Sequence, residues 1–152
     1  YLDADLHHPQ DILTSDTLPE TLDLTQPVAV LLVAVLHFIE SDDEAASIIE
    51  QLTAPLVPGS YLGISHATAD LLDADTLAKF AAASFPGSDD ITGRSRTQFT
   101  ALLHGLELQP PGIRVVSQWR PDPGTDAPPD DQVSVYGALA RIPATHVKAS
   151  GE

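Results

Sequence analysis

A chain of 152 residues with 43% apolar composition suits one domain and can build a core. Its formal charge of -15, from 7 Lys+Arg against 22 Asp+Glu, repels phosphate backbones and anionic lipid, so neither nucleic acid nor membrane is expected as a partner. With no cysteine the sequence has no disulfide, thiolate nucleophile or Cys-based zinc site, which suits a cytoplasmic protein.

Tyr1-Leu2-Asp3-Ala4-Asp5-Leu6 reads as a strand, and a sequence that opens in mid-element and holds no methionine is expected of a domain whose beginning lies elsewhere. Residues 11–22 carry Ile12, Leu13, Leu18 and Leu22 at loosely helical spacing, with Pro19 set to interrupt or restart the helix. Residues 28–36 are wholly apolar and run into His37 and Phe38. That run is about half of the roughly 20 residues a membrane helix needs, so it predicts a buried parallel strand. A strand that delivers His-Phe at its carboxyl end marks the floor of a ligand crevice in an open α/β sheet.

Ser41-Asp42-Asp43-Glu44 fits a capping box, and Ala45, Ile48, Ile49, Leu52 and Leu56 then give one buried helical face, stopped by Pro55 and Pro58-Gly59. Tyr61-Leu62-Gly63-Ile64-Ser65 is a second strand, ended by the polar cluster Ser65-His66-Ala67-Thr68. Asp73 or Asp75 caps a helix carrying Leu77, Phe80 and Ala81, and the irregular stretch 85–93 after it is a candidate lid. Ser95-Arg96-Thr97-Gln98 is another capping box, leading to Phe99, Leu102, Leu103 and Leu106, with Gly105 placed to end the helix. Residues 113–119 and 132–142 read as strands joined without a helix, hence an antiparallel pair at a sheet edge. Residues 1–143 form the domain on this reading, and 144–152 a flexible tail.

The blocks Tyr1-Leu2-Asp3-Ala4-Asp5-Leu6, Val33-Ala34-Val35-Leu36-His37-Phe38-Ile39, Gly59-Ser60-Tyr61-Leu62, Ser65-His66-Ala67-Thr68-Ala69-Asp70, Gly105-Leu106-Glu107-Leu108, Trp119-Arg120-Pro121 and Val133-Ser134-Val135-Tyr136-Gly137 span almost the whole chain. Together they resemble an actinobacterial family of S-adenosyl methyltransferases, class I and Rossmann-like, formerly catalogued as a domain of unknown function. The resemblance implies an α/β methyltransferase sheet with a C-terminal antiparallel hairpin, of which this chain holds the third to seventh strands. The fourth strand would lie beside the fifth, and the seventh, antiparallel, between the fifth and sixth. Strands one and two, with the acidic-x-Gly-x-Gly loop that wraps the cofactor, have no counterpart here, and the third strand would lack a neighbour. The expected chain is therefore a partial methyltransferase domain, inactive by itself, with the edge of its fourth strand exposed and an oligomer possible.

The resemblance makes S-adenosylmethionine the expected cofactor and a small molecule the expected acceptor. Asp5 would accept the adenine amine and the Leu6 amide would reach a ring nitrogen; a solvated acid is the competing reading of Asp5. Val33 and Ala34 would line the floor beneath the transferable methyl. His37 and His66 are the candidate catalytic bases, each against the alternative of a packed, hydrogen-bonded histidine. Ser65 and Thr68 are acceptor-site candidates. No nucleophile elbow accompanies Ser65, and no histidine spacing fits a zinc motif, so neither hydrolase chemistry nor a metal is expected. Arg94 and Arg96 read as surface partners of the abundant acids, against the alternative of binding a carboxylate on the acceptor. The rival from another class is a non-catalytic, truncated or degenerate Rossmann-like protein that serves binding or interaction.

Overall fold

In chain order the elements are α1 (Pro9–Leu13), α2 (Thr17–Thr21), β1 (Ala29–Val33), a 3-10 turn (Leu36–Phe38), α3 (Asp42–Thr53), β2 (Tyr61–Ala67), α4 (Ala74–Ala82), α5 (Arg96–Ala101), β3 (Glu107–Leu108), β4 (Arg114–Val115) and β5 (Val135–Arg141). The computed structural model describes residues 1–82 and 91–144. β1 and β2 pair in parallel, with Leu31 opposite Gly63 and Val33 opposite Ser65. β5 returns antiparallel along the whole of β2, and β3 and β4 each pair antiparallel with the far side of β5. The order β1-β2-β5 reproduces the fourth, fifth and seventh positions of the implied sheet, and β4, paired with the far side of β5, stands in the sixth.

One face of this sheet is covered. Leu32 of β1, Leu62 and Ile64 of β2 and Ala138 and Ala140 of β5 pack in one buried cluster with Ala45, Ile48, Ile49 and Leu52 of α3 and Phe99 of α5. Each fully buried Leu or Ile contributes about 1.5–3 kcal/mol of transfer free energy, and the i, i+3, i+4 spacing on α3 is what lets one helix supply three such side chains beside Ala45. The opposite face is open at β1, where Leu31 keeps 68% and Val33 59% of its surface exposed. The sequence predicted burial on both faces of this strand; it is instead an edge strand with one bare face. Gly63 belongs to that geometry, since a Cβ there would stand 2.8 Å from Leu31 Cδ2.

Several predicted boundaries move. Residues 1–6 form no strand, and no strand among the described residues pairs with them. The segment turns instead, with the His7 amide donating to Asp5 Oδ1 at 3.0 Å and the His8 amide to the Asp5 carbonyl at 3.0 Å. β1 ends at Val33 rather than Leu36, since Ala34 takes φ 54° and leaves the ladder. β2 runs on through Ala67, so His66 lies within the strand and not after it. Pro19 is the third residue of α2, where its missing N–H has no intrahelical partner to lose, so the break falls before the helix.

Caps follow their expected residues with one exception. Ser95 and Gln98 complete a reciprocal capping box, and Asp73 Oδ1 accepts from the Thr76 amide at 2.7 Å at the start of α4. Ser41 Oγ accepts from the Glu44 amide at 3.3 Å, but the Glu44 carboxylate turns to His7 Nδ1 at 2.7 Å, leaving that box half made. The predicted strand 113–119 shrinks to Arg114–Val115 and continues as a 3-10 turn, Val116–Gln118. The strand at Glu107–Leu108 was not foreseen. Residues 85–90 of the candidate lid, and the tail from 145 onward, lie outside the described residues. Among the described residues no helix is long and apolar enough to cross a membrane.

Candidate functional site

Two parallel strands open their carboxyl ends on the same edge of a sheet, and here β1 and β2 bring Ala34, His37, Ser65 and His66 to that edge. Ala34 reaches its left-handed conformation with its amide donating to Ser65 Oγ at 3.0 Å, so a side chain of β2 ends β1. Beyond it, the Leu36–Phe38 turn holds His37 half-buried, its ring centroid 6.0 Å from that of His66 and 4.5 Å from that of Phe38. His37 Nδ1 is buried with no hydrogen-bond partner among the described residues. Its burial without compensation pushes the imidazole pKa below the ordinary value.

His66 is almost fully buried, at 1% exposure. Its Nδ1 bonds the Ala67 carbonyl at 2.8 Å and its Nε2 meets Arg94 Nη1 at 2.7 Å. An arginine nitrogen can only donate, so Nε2 is the acceptor, Nδ1 carries the proton and the ring is neutral. Burial, chiefly, lowers the His66 pKa, with the adjacent Arg94 charge adding to it.

Arg94 is the centre of this edge. It is 0% exposed, which corrects its reading as a surface ion-pair partner. Its Nε donates to Asp42 Oδ1 at 2.7 Å, Nη1 to the Leu36 carbonyl at 3.3 Å as well as to His66, and Nη2 to the carbonyls of Ile39 at 2.9 Å and Glu40 at 3.3 Å. Five N–H donors thus meet five acceptors. Asp42, held below the usual carboxylate value first by Arg94 and then by Gln98, is the one carboxylate among the described residues that pairs with it. The backbone delivers Arg94 to this spot, because the Thr92 amide donates to the His37 carbonyl and the Arg94 amide to the Ala67 carbonyl. The sequence offered one signal, an arginine among only 7 Lys+Arg, but not the convergence of carbonyls that buries it.

The remaining predicted residues divide. Val33 and Ala34 are exposed at the end of β1. Asp5 is exposed, and Leu6 half-buried against the core, on a turn tied to the first turn of α3 through His7 and Glu44. Thr68 is 3% exposed; its Oγ1 accepts from the Asp70 amide at 3.1 Å and its own amide donates to the Ser134 carbonyl. Arg96 lies 5.8 Å from the Tyr136 ring centroid, and its amide donates to Asp70 Oδ2, which the Tyr136 hydroxyl also reaches. Tyr136 itself stacks on Phe99 in the core. The concave surfaces of about 460 Å³ around residues 13–25 and about 240 Å³ beneath β1 include neither histidine. Among the described residues no His, Asp and Glu group is arranged to hold a metal.

The sheet of paired parallel strands with an antiparallel return matches methyltransferase structures in fold. The sequence model of the S-adenosyl methyltransferase family matches residues 1–143, and the chain belongs to that family. The resemblance read from the sequence blocks is thereby borne out, and S-adenosylmethionine is the cofactor that goes with the family. Among solved structures the chain is similar to a DUF574 family protein from Streptomyces avermitilis, at 37% identity and TM-score 0.84 over 94% of this chain and 55% of that one. It is also similar to a protein from Thermobifida fusca assigned as a methyltransferase, at 25% identity and TM-score 0.76 over 94% of this chain and 53% of that one. The chain thus spans about half the length of these relatives. No curated protein matches it.

Proposed function

We propose that these residues are the carboxyl-terminal portion of a cytoplasmic, S-adenosylmethionine-dependent methyltransferase domain acting on an oxygen, nitrogen or carbon of a small metabolite. The observation that carries the reading is the family match over 1–143. The bare flank of β1 supports its partial character, since no strand among the described residues pairs with its outer edge and Leu31 and Val33 face outward.

The residues present fit one side of such a cofactor. Asp5 keeps an exposed carboxylate that can accept an amine, the Leu6 amide lies next to it in sequence, and Val33 with Ala34 offers an open apolar floor. When bound, S-adenosylmethionine supplies an electrophilic methyl group on a sulfonium. The work left to the protein is mainly to hold the acceptor atom in line at attack distance. His37 is the group placed to orient the acceptor or to take its proton, which is needed only where the nucleophile arrives protonated. His66, the other candidate base, has both ring nitrogens already engaged. Ser65 fixes the Ala34 amide and so shapes the floor from the acceptor side, while Thr68 holds the turn that follows β2.

A second reading, a non-catalytic interaction protein, is favoured by the same bare flank, because an unpaired apolar strand is a template for association. Calorimetric titration of S-adenosylhomocysteine separates the two. We expect binding by the polypeptide encoded by the complete reading frame containing these residues, and loss of binding for residues 1–152 alone. Absence of binding by the complete polypeptide would overturn the methyltransferase reading in favour of the second.

A further inference from the structure

We propose that Arg94 and His66 form a buried positioning unit that fixes the turn after β1, so that of the two imidazoles at this edge His37 alone serves proton exchange with an acceptor. The assignment of a role to His37 rests on the methyltransferase reading; the positioning unit itself does not.

The five acceptors of Arg94 are distributed in a way that explains what it holds. Leu36, Ile39 and Glu40 give three consecutive-turn carbonyls that flank His37, Asp42 is the first residue of α3, and His66 belongs to β2. A single rigid guanidinium therefore ties the segment on both sides of His37 to the neighbouring strand and to the next helix. The planar fork is what makes this possible, as an ammonium has three donors at one point and cannot reach acceptors on both sides. The backbone of Thr92 and Arg94 fastens the same place a second time, through the carbonyls of His37 and Ala67.

His66 completes the unit as an acceptor. Its Nε2 lone pair points at Arg94, and its Nδ1 proton is committed to the Ala67 carbonyl. Taking up a proton at Nε2 would set two donors and two positive charges against each other within a site sealed from water. An imidazole in this position orients its neighbour and is not free to act as a base. His37 differs: its ring contacts are aromatic, and Nδ1 has no partner among the described residues.

The test needs neither cofactor nor acceptor, so its failure is distinct from failure of the methyltransferase reading. In the polypeptide encoded by the complete reading frame, ¹⁵N-histidine spectra are expected to show His66 as the neutral Nδ1–H tautomer. Arg94→Lys is expected to raise amide hydrogen exchange at residues 36–42 at least tenfold and to shift the His37 ring signals, with exchange in β5 unchanged. His66→Gln, which supplies both an acceptor for Arg94 and a donor for the Ala67 carbonyl, should restore wild-type exchange at 36–42, whereas His66→Leu should not. Should Arg94→Lys fail to fold, Asp42→Asn reads the same tether from its exposed end and should raise exchange in the same segment. An Nε2–H tautomer for His66, or folded variants with unaltered exchange at 36–42 and unmoved His37 signals, would overturn the proposal.

Discussion

Three histidines of this chain titrate in opposite senses for local reasons. Exposed His7 is raised above the ordinary 6.5, first by its hydrogen bond to Glu44, whereas His37 and His66 are lowered by burial. The signs have different consequences for stability. The His7–Glu44 contribution is present in full below pH 6.5 and is lost as pH rises through the raised value. The neutral His66 contributes above pH 6.5, and stability erodes as pH falls below it, because the unfolded chain then takes up a proton the folded one refuses. Asp42 adds acid sensitivity of its own, its contribution disappearing as pH falls through a depressed carboxylate value. NMR titration should place His7 above 6.5 and both His37 and His66 below it, and Glu44→Gln should return His7 towards the ordinary value. Both histidines of the edge were legible in the sequence from their place after apolar runs. Arg94 was not, because its burial depends on carbonyls of residues 36, 39 and 40 converging across a fold that periodicity does not describe.

The elements best read from sequence are those whose signal is local. α3 and α5 begin where their serine caps stand, and the single buried face of α3 follows its spacing. Cap completeness carries a prediction: Ser95→Ala removes the hydroxyl's bonds to both the Gln98 amide and the Gln98 side chain and should cost about 1–2 kcal/mol, while Ser41→Ala removes one bond and should cost about 0.5–1 kcal/mol, measured by urea unfolding. Strands were read less well, since a strand's ends depend on its partners. The apolar run continues through Leu36, yet β1 stops at Val33 because Ser65 draws the Ala34 amide out of the ladder. Removing that hydroxyl in Ser65→Ala should cost about 1 kcal/mol and speed hydrogen exchange at Ala34. Faces were misjudged for the same reason. Leu31 and Leu32 are indistinguishable in the sequence, yet Leu32→Ala should cost about 2–5 kcal/mol and Leu31→Ala within about 0.5 kcal/mol.

At the scale of the molecule, the half-covered sheet is the dominant fact. β1 is parallel to β2, lies at the sheet edge and exposes Leu31 and Val33 on a face that the covered side would lead one to expect buried. A parallel strand is ordinarily covered on both faces. The chain spans about half the length of its relatives. Placing Lys at Leu31 should lower the tendency of residues 1–152 to associate, read by light scattering, since a charge on an exposed edge strand opposes pairing with another chain. Sheet order was legible from the family blocks, whereas the exposure of β1 was not legible from its composition, which is that of a strand built for burial.

The most direct test of the methyltransferase reading maps S-adenosylhomocysteine onto this edge by NMR, in the polypeptide encoded by the complete reading frame. We expect saturable shifts at Asp5, Leu6, Val33 and Ala34, with His37 moving as the methyl-side neighbour. Binding that leaves these residues unmoved would contradict the placement of the cofactor at the ends of β1 and β2, and no binding would contradict the methyltransferase reading itself.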